Sequence, residues 1–144
     1  MKVRQILGGK AGNYLWHVHP HNTVLEALQL MEEKNIGAVL VLENNQLTGI
    51  FSERDYARKG ILKGRASKDT LIRDVMTSPV ITVDVEQKVE DCMEIMSQRH
   101  IRHLPVTENE TLFGIISIND IVTAIINDQK NRIQSLESYI SGGY

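Results

Sequence analysis

The sequence predicts an α+β fold: two tandem β-α-β-β-α repeats, packed through their sheets with pseudo-twofold symmetry. Three observations lead there. The chain repeats itself at a spacing of 65 residues. Each copy runs through the same order of strand-length and helix-period apolar patterns. And 144 residues, 42% apolar and 24% charged, have the make-up of an ordinary globular protein, long enough to bury roughly 68–70% of the unfolded surface.

The repeat is read directly. A shift of 65 lays Ile36–Asp55 on Ile101–Asp120 without a gap, with nine identities in twenty positions: Ile36/Ile101, Val41/Val106, Glu43/Glu108, Asn44/Asn109, Leu47/Leu112, Gly49/Gly114, Ile50/Ile115, Ser52/Ser117 and Asp55/Asp120. Val18/Val83, Val24/Val89 and Met31/Met96 follow the same shift. Upstream, Val3–Leu7 matches Ile72–Met76 at a shift of 69, so copy one carries four extra residues within Gly8–Trp16. The expected organisation is repeat one over residues 1–62, a connector at 63–70, repeat two over 71–126 and a helical tail at 127–144.

Each copy opens on a short apolar stretch, Leu15–Val18 or Val80–Val83. A helix follows. In copy one, Val24, Leu28 and Met31 fall at i, i+4 and i+7, and Thr23 with Glu26 has the spacing of a capping box. In copy two the matching face is Val89, Met93 and Met96, with Cys92 beside it. These sulfur side chains are expected in the core. Next come two strands around a polar turn: Ala38–Leu42 and Leu47–Ser52, then Leu104–Thr107 and Leu112–Ser117. A second helix starts near Glu53 and near Ile118, the last one running to about Ile140 before Gly142-Gly143.

Composition removes several function classes. Sixteen basic against 18 acidic residues give −2, which disfavours a nucleic-acid binder. Ala38–Leu42 is the longest apolar run, far below the ~20 residues of a membrane span. The opening Met1-Lys2-Val3-Arg4-Gln5 lacks a signal-peptide core, and a lone cysteine suits a reducing compartment. A cytoplasmic protein with no membrane partner is expected.

The chemistry sits at the strand ends. Ser52-Glu-Arg-Asp55 and Ser117-Ile-Asn-Asp120 both stand where a strand hands over to a helix. Each has capping-box spacing, and that reading suffices by itself. A second role is compatible with it. A carboxylate beside a helix N-terminus can accept two hydrogen bonds from a vicinal diol such as a ribose, with phosphates turned to the helix end or to cations. Cations are at hand: Glu53–Lys68 holds six basic and two acidic residues, a local +4 that includes Arg54, Arg58 and Lys59. A solvated helix face explains that cluster equally well.

With these residues in view, both copies resemble the cystathionine-β-synthase (CBS) domain, and the chain resembles a stand-alone CBS pair. The resemblance spans about Val3 to Ala124. It is carried by Val18-x-Pro20-x-x-Thr23-Val24, Met31, Gly49-Ile-Phe-Ser-Glu-Arg-Asp55, Met76-Thr77, Ile101-Arg-His-Leu-Pro-Val106 and Gly114-Ile-Ile-Ser-Ile-Asn-Asp120. It implies a regulatory module binding an adenine nucleotide (AMP, ATP, NAD or a similar ligand) in the cleft between the repeats. The implied ribose carboxylates are Asp55 and Asp120, with Ser52 and Ser117 as their hydroxyl partners and Asn119 beside the second. The implied adenine contacts of copy two are Thr77, Val80, Arg102, His103 and Leu104. Copy two departs from copy one in having Val85 and Lys88 in place of Pro20 and Thr23. Copy one carries the Gly8–Trp16 loop, so the copy-two site is the expected one.

Other signals are weaker. His17-Val-His-Pro-His21 has no Cys or carboxylate to complete a zinc set, and Pro20 interrupts a regular strand. Gly8-Gly-Lys-Ala-Gly12 lacks P-loop spacing. No nucleophile–base pair stands out, so neither a metal, a catalytic cofactor nor an enzymatic activity is expected. The alternatives are a ligand-free dimerisation adaptor and a small nucleotide-acting enzyme. Ile118, Ile121, Val122, Ile125 and Ile126, then Ile133, Leu136 and Ile140, leave apolar surface along the last helix. A homodimer is therefore expected, alongside a regulated protein partner that the sequence does not name; a tail folded back on its own repeats is the competing outcome.

Overall fold

The computed structural model describes residues 1–8 and 15–141. Gly142-Gly143 and most of the Gly8–Trp16 loop lie outside them. The elements are α1 (Val3–Gly8), β1 (His17–Val18), α2 (Val24–Lys34), β2 (Ala38–Glu43), β3 (Gln46–Ser52), a helical turn α3 (Glu53–Asp55), β4 (Val83–Asp84), α4 (Val89–Arg99), β5 (His103–Glu108), β6 (Thr111–Ser117) and α5 (Ile118–Ile140). The α+β class is as expected. Two three-stranded sheets form, β1-β2-β3 and β4-β5-β6.

The repeat holds down to hydrogen-bond register. β1 pairs parallel with β2 through Val18↔Val41, and β4 with β5 through Val83↔Val106. The hairpins pair Ala38 with Ser52 and His103 with Ser117. Each shifts register once, after Val41 and after Val106. Each turns on two left-handed residues, Asn44 and Asn45 (φ 52° and 63°) or Asn109 and Glu110 (φ 51° and 65°). Tight hairpins need such a pair to match the strand twist. Asparagine tolerates it, whereas the left-handed form costs an ordinary residue roughly 1–2 kcal/mol. Glu110→Asn, copying Asn45, is therefore expected to stabilise the protein by about 0.5–1 kcal/mol, raising Tm by a few degrees in calorimetry.

Contacts divide the chain into two compact units, Tyr14–Thr82 and Met1–Asn13 with Val83–Tyr144. This division differs from that by repeats, because each repeat's leading segment belongs with the other repeat. Val3 N–H donates to Gln87 O (2.9 Å), Arg4 N–H to Val85 O (2.9 Å), and Val89 N–H to Met1 O (2.9 Å). In the other unit Ile72 N–H donates to Asn22 O (2.8 Å), Arg73 N–H to Pro20 O (3.0 Å), and Val24 N–H to Thr70 O (2.9 Å). These three pairs correspond one to one under the shifts of 69 and 65. Lys2 and Arg4 also pair with Glu86, and Arg4 with Glu108. Those bonds, Lys2's first, hold the Glu86 carboxyl below its usual range.

In Tyr14–Thr82, α2 starts on the complete Thr23/Glu26 capping box and ends on left-handed Asn35. It buries Val24, Ala27 and Met31 in a core shared with Val18, Val39, Val41, Phe51, Ile72 and Val75. The inward face is thus i, i+3, i+7, with Leu28 at its margin. α4 does the same with Val89, Cys92 and Met96. Met93, expected inside, is 37% exposed, and Cys92, at 0%, takes its place. Burial first, then the nearby Asp91 and Glu90 charges, push the Cys92 thiol up to about 11, so it is a packing group and not a nucleophile.

The helices after the hairpins are unequal. α5 runs for 23 residues. In copy one the expected helix breaks into α3, one π-helical turn over Tyr56–Gly60 and a 3-10 turn over Ile61–Lys63, closed by left-handed Gly64. Gly60 and Gly64 are poor helix formers with no counterpart in α5, where Ile125 and Gln129 stand.

Candidate functional site

Both Ser-x-x-Asp junctions form complete capping boxes. Asp55 Oδ2 accepts from the Ser52 N–H (2.9 Å) and the Ser52 hydroxyl (3.1 Å), while Asp55 N–H donates to Ser52 Oγ (3.2 Å). Asp120 Oδ2 accepts from the Ser117 N–H (2.9 Å), and Asp120 N–H donates to Ser117 Oγ (3.1 Å). Behind each box the helix is tied to the strand entry: Glu53 N–H donates to Gly37 O (3.1 Å) and Ile118 N–H to Arg102 O (2.9 Å). The sequence dictates this, since a strand-ending Ser satisfies one free helix donor and the third helical residue returns the bond. Each carboxylate is thereby fixed at a helix start.

Beyond the box the two sites diverge. Thr77 hydroxyl donates to Asp55 Oδ1 (2.9 Å), and Lys59 Nζ lies 3.3 Å from the same oxygen and 3.3 Å from Thr77 Oγ1. Asp55 is buried and its carboxylate is well supplied with donors. Thr77 is held by an antiparallel bridge: Thr77 N–H donates to Ile50 O (2.8 Å) and Ile50 N–H to Thr77 O (3.1 Å). Gly49 leaves room for it, since a Cβ there would stand 2.6 Å from Met76 Sδ and 3.1 Å from Thr77 O. Thr77 serves Asp55 and, with Val80, falls in the Tyr14–Thr82 unit, whereas Asp120 falls in the other. The cause is the exchange of leading segments. At the places of Lys59 and Thr77 the second unit has Ala124 and Gly8, which offer neither ammonium nor hydroxyl.

The remaining candidates are placed as follows. Arg54, Arg58 and Lys59 are exposed. Arg102 and Asn119 are exposed and His103 half-buried, flanking the Asp120 junction. Leu104 is fully buried, so its side chain packs in the core and only its backbone remains to face a ligand. The Lys59 bridge to Asp55 is the feature that the sequence reading missed. Its signal was the i, i+4 spacing of Asp55 and Lys59.

The histidines make local contacts. His17 Nδ1 is 2.9 Å from Leu15 O, His21 N–H donates to His19 Nδ1 (3.0 Å), and His21 Nε2 lies 3.4 Å from Arg73. Among the described residues no three His, Cys, Asp or Glu side chains gather as a metal centre. Nor is any described helix long and apolar enough to cross a membrane.

Two sheets with the same strand order, the same register shift and the same Ser/Asp junction define a tandem pair of one small α+β domain. The sequence profile of the CBS domain matches residues 14–61 and 72–127. The chain belongs to the CBS-domain proteins and carries two copies of the domain. It is 41% identical, over 92% of its length and 66% of the relative's, to the mitochondrial CBS domain-containing protein CBSX3 of Arabidopsis thaliana; it thus spans about two thirds of that protein. A solved CBS-domain protein of Burkholderia ambifaria MC40-6, proposed to act in signal transduction, is 42% identical with a TM-score of 0.87, covering 90% of this chain and 96% of that one. A hexameric CBS-CP12 protein from bloom-forming cyanobacteria is 28% identical with a TM-score of 0.75, over 85% of this chain and 71% of that one.

Proposed function

We propose that this chain is a regulatory module that binds an adenine nucleotide (AMP, ATP or NAD) at its Ser/Asp junctions and passes its occupancy to a partner protein. One observation carries the reading: two carboxylates, each fixed by a serine at 2.9 Å, stand in register at two strand-to-helix junctions of a CBS pair. A fixed carboxylate accepts both hydroxyls of a ribose without reorganising. Arg54 and Arg58 on one side, and Arg102 with His103 and Asn119 on the other, supply cations and polar groups for phosphate and base. The module senses energy or redox state, carries out no catalysis, and works in the cytoplasm as a homodimer.

The second reading, a ligand-free adaptor, is favoured at copy one by a specific feature: Thr77 and Lys59 already occupy Asp55. A thermal-shift screen with AMP, ATP, NAD and S-adenosylmethionine separates the two. A ligand at 100 times its Kd adds ~2.7 kcal/mol, an upward shift of several degrees. No shift with any of the four would leave the adaptor, and conversion of the added nucleotide during incubation would point to an enzyme.

A further inference from the structure

The exposed apolar residues of α5 have an order that amphipathicity alone does not require. Val122, Ile126, Ile133, Leu136 and Ile140 are 45%, 45%, 54%, 61% and 81% exposed. With exposed Gln129 they step by +4, +3, +4, +3 and +4, the a/d spacing of a heptad. Isoleucine holds every a position (126, 133 and 140), while Val122, Gln129 and Leu136 hold d. The face that α5 buries in its own unit, centred on Ile121, lies roughly 100° round the helix from this seam at ~100° per residue. The two faces are thus separate, and the seam runs about 27 Å along the helix at ~1.5 Å per residue.

We infer that α5 pairs with the α5 of a second copy as a parallel two-stranded coiled coil along Val122–Ile140. The residues along the seam choose this occupant and direction. Isoleucine at every a position of the seam, with Leu136 at one d position, suits two strands over three within a parallel coil. In that arrangement each g position meets the e position five residues later on the partner helix. Arg132 at g then faces Glu137 at e, an opposite-charge pair formed twice by the symmetry. Arg132 also reaches 3.3 Å to Asp128 at c on its own helix, a contact that it exchanges for Glu137 of the second copy. Gln129 meets its own copy across the axis, where two amides each donate and accept, and such a polar layer fixes register at some cost in stability. The short coil starts from a helix already nucleated by the Ser117/Asp120 box and anchored by buried Ile121. Upstream the seam stops at Asn119, the a position one heptad before Ile126, where the Ser/Asp junction begins.

This inference deepens the homodimer reading, and its test keeps the two apart. Mass is measured by light scattering at tens of micromolar for wild type and for Ile133→Glu/Leu136→Glu. Both sites are more than half exposed, so helicity and Tm should hold while the dimer dissociates at least tenfold more readily. A monomeric wild type would overturn homodimer and coil together. A dimeric variant would overturn the coil alone. Direction is read from Ile140→Cys under mild oxidation, with Cys92 buried. Parallel helices bring the two new thiols within disulfide reach, so near-complete cross-linking is expected. An antiparallel pair, or docking of α5 on another face, leaves them apart and yields none. Arg132→Glu should loosen the dimer, and adding Glu137→Arg should restore it; no restoration would remove the g–e pairing.

Discussion

Alanine at Asp120 is expected to weaken binding of the nucleotide that stabilises the wild type by about ten- to a hundredfold, the ~1.5–3 kcal/mol typical of hydrogen bonds to a charged acceptor. Asp55→Ala should cost less. The difference follows from what surrounds Asp55. Asp55 already accepts from Thr77 and faces Lys59, so a diol entering there must displace both. Both substitutions also remove the returning bond of a capping box, worth about 1 kcal/mol. That loss appears as a lower Tm without ligand and is separable from affinity by calorimetric titration. The 2′-deoxy ligand gives the internal control: it should bind wild type more weakly and Asp120→Ala little differently from its parent. Equal and negligible losses at both aspartates would take the ribose role from both.

The second large effect is on stability. Phe51 is fully buried at the centre of the Tyr14–Thr82 core, among Val39, Val41 and Ile72. Phe51→Ala is expected to cost ~3–5 kcal/mol through lost transfer energy and an unfilled cavity. Set against a typical total of about 5–15 kcal/mol, that brings the unit near its unfolding threshold. Its counterpart under the 65-residue shift, Ile116, is equally buried but smaller. Ile116→Ala should cost roughly 2–5 kcal/mol, toward the lower end. Hydrogen exchange reports which amides lose protection. Phe51→Ala should expose those of β1–β3 and α2 first, and a uniform loss over both units would show that they unfold together.

Much of this architecture was legible because its signals are local. The hairpins follow from apolar runs around Asn-rich turns, the helix starts from Ser/Thr-x-x-Asp/Glu, and the duplication from identities at a fixed offset. What escaped was long-range. The likeness of Val3–Leu7 to Ile72–Met76 was visible, but nothing in a linear string says which repeat a leading segment joins. Hence Thr77, in the segment before the helix of copy two, hydrogen-bonds Asp55 of copy one. Met93 and Cys92 compete for one inward position on α4, and periodicity alone does not choose between i+3 and i+4. The small cysteine is the one buried, as Ala27 is at the matching position of α2. Gly60 and Gly64, poor helix formers, are the signal in the sequence for the broken helix of copy one.

The exchange of leading segments bears on how such a gene can be cut. A reading frame restricted to residues 71–144 would encode an opening stretch shaped for the absent neighbour and would lack the one that Gln87 and Val85 receive. Two molecules of that fragment would hold complementary halves of the same deficiency, each able to lend its own opening to the other. The natural product of halving this gene is thus a pair of identical short polypeptides trading their first residues.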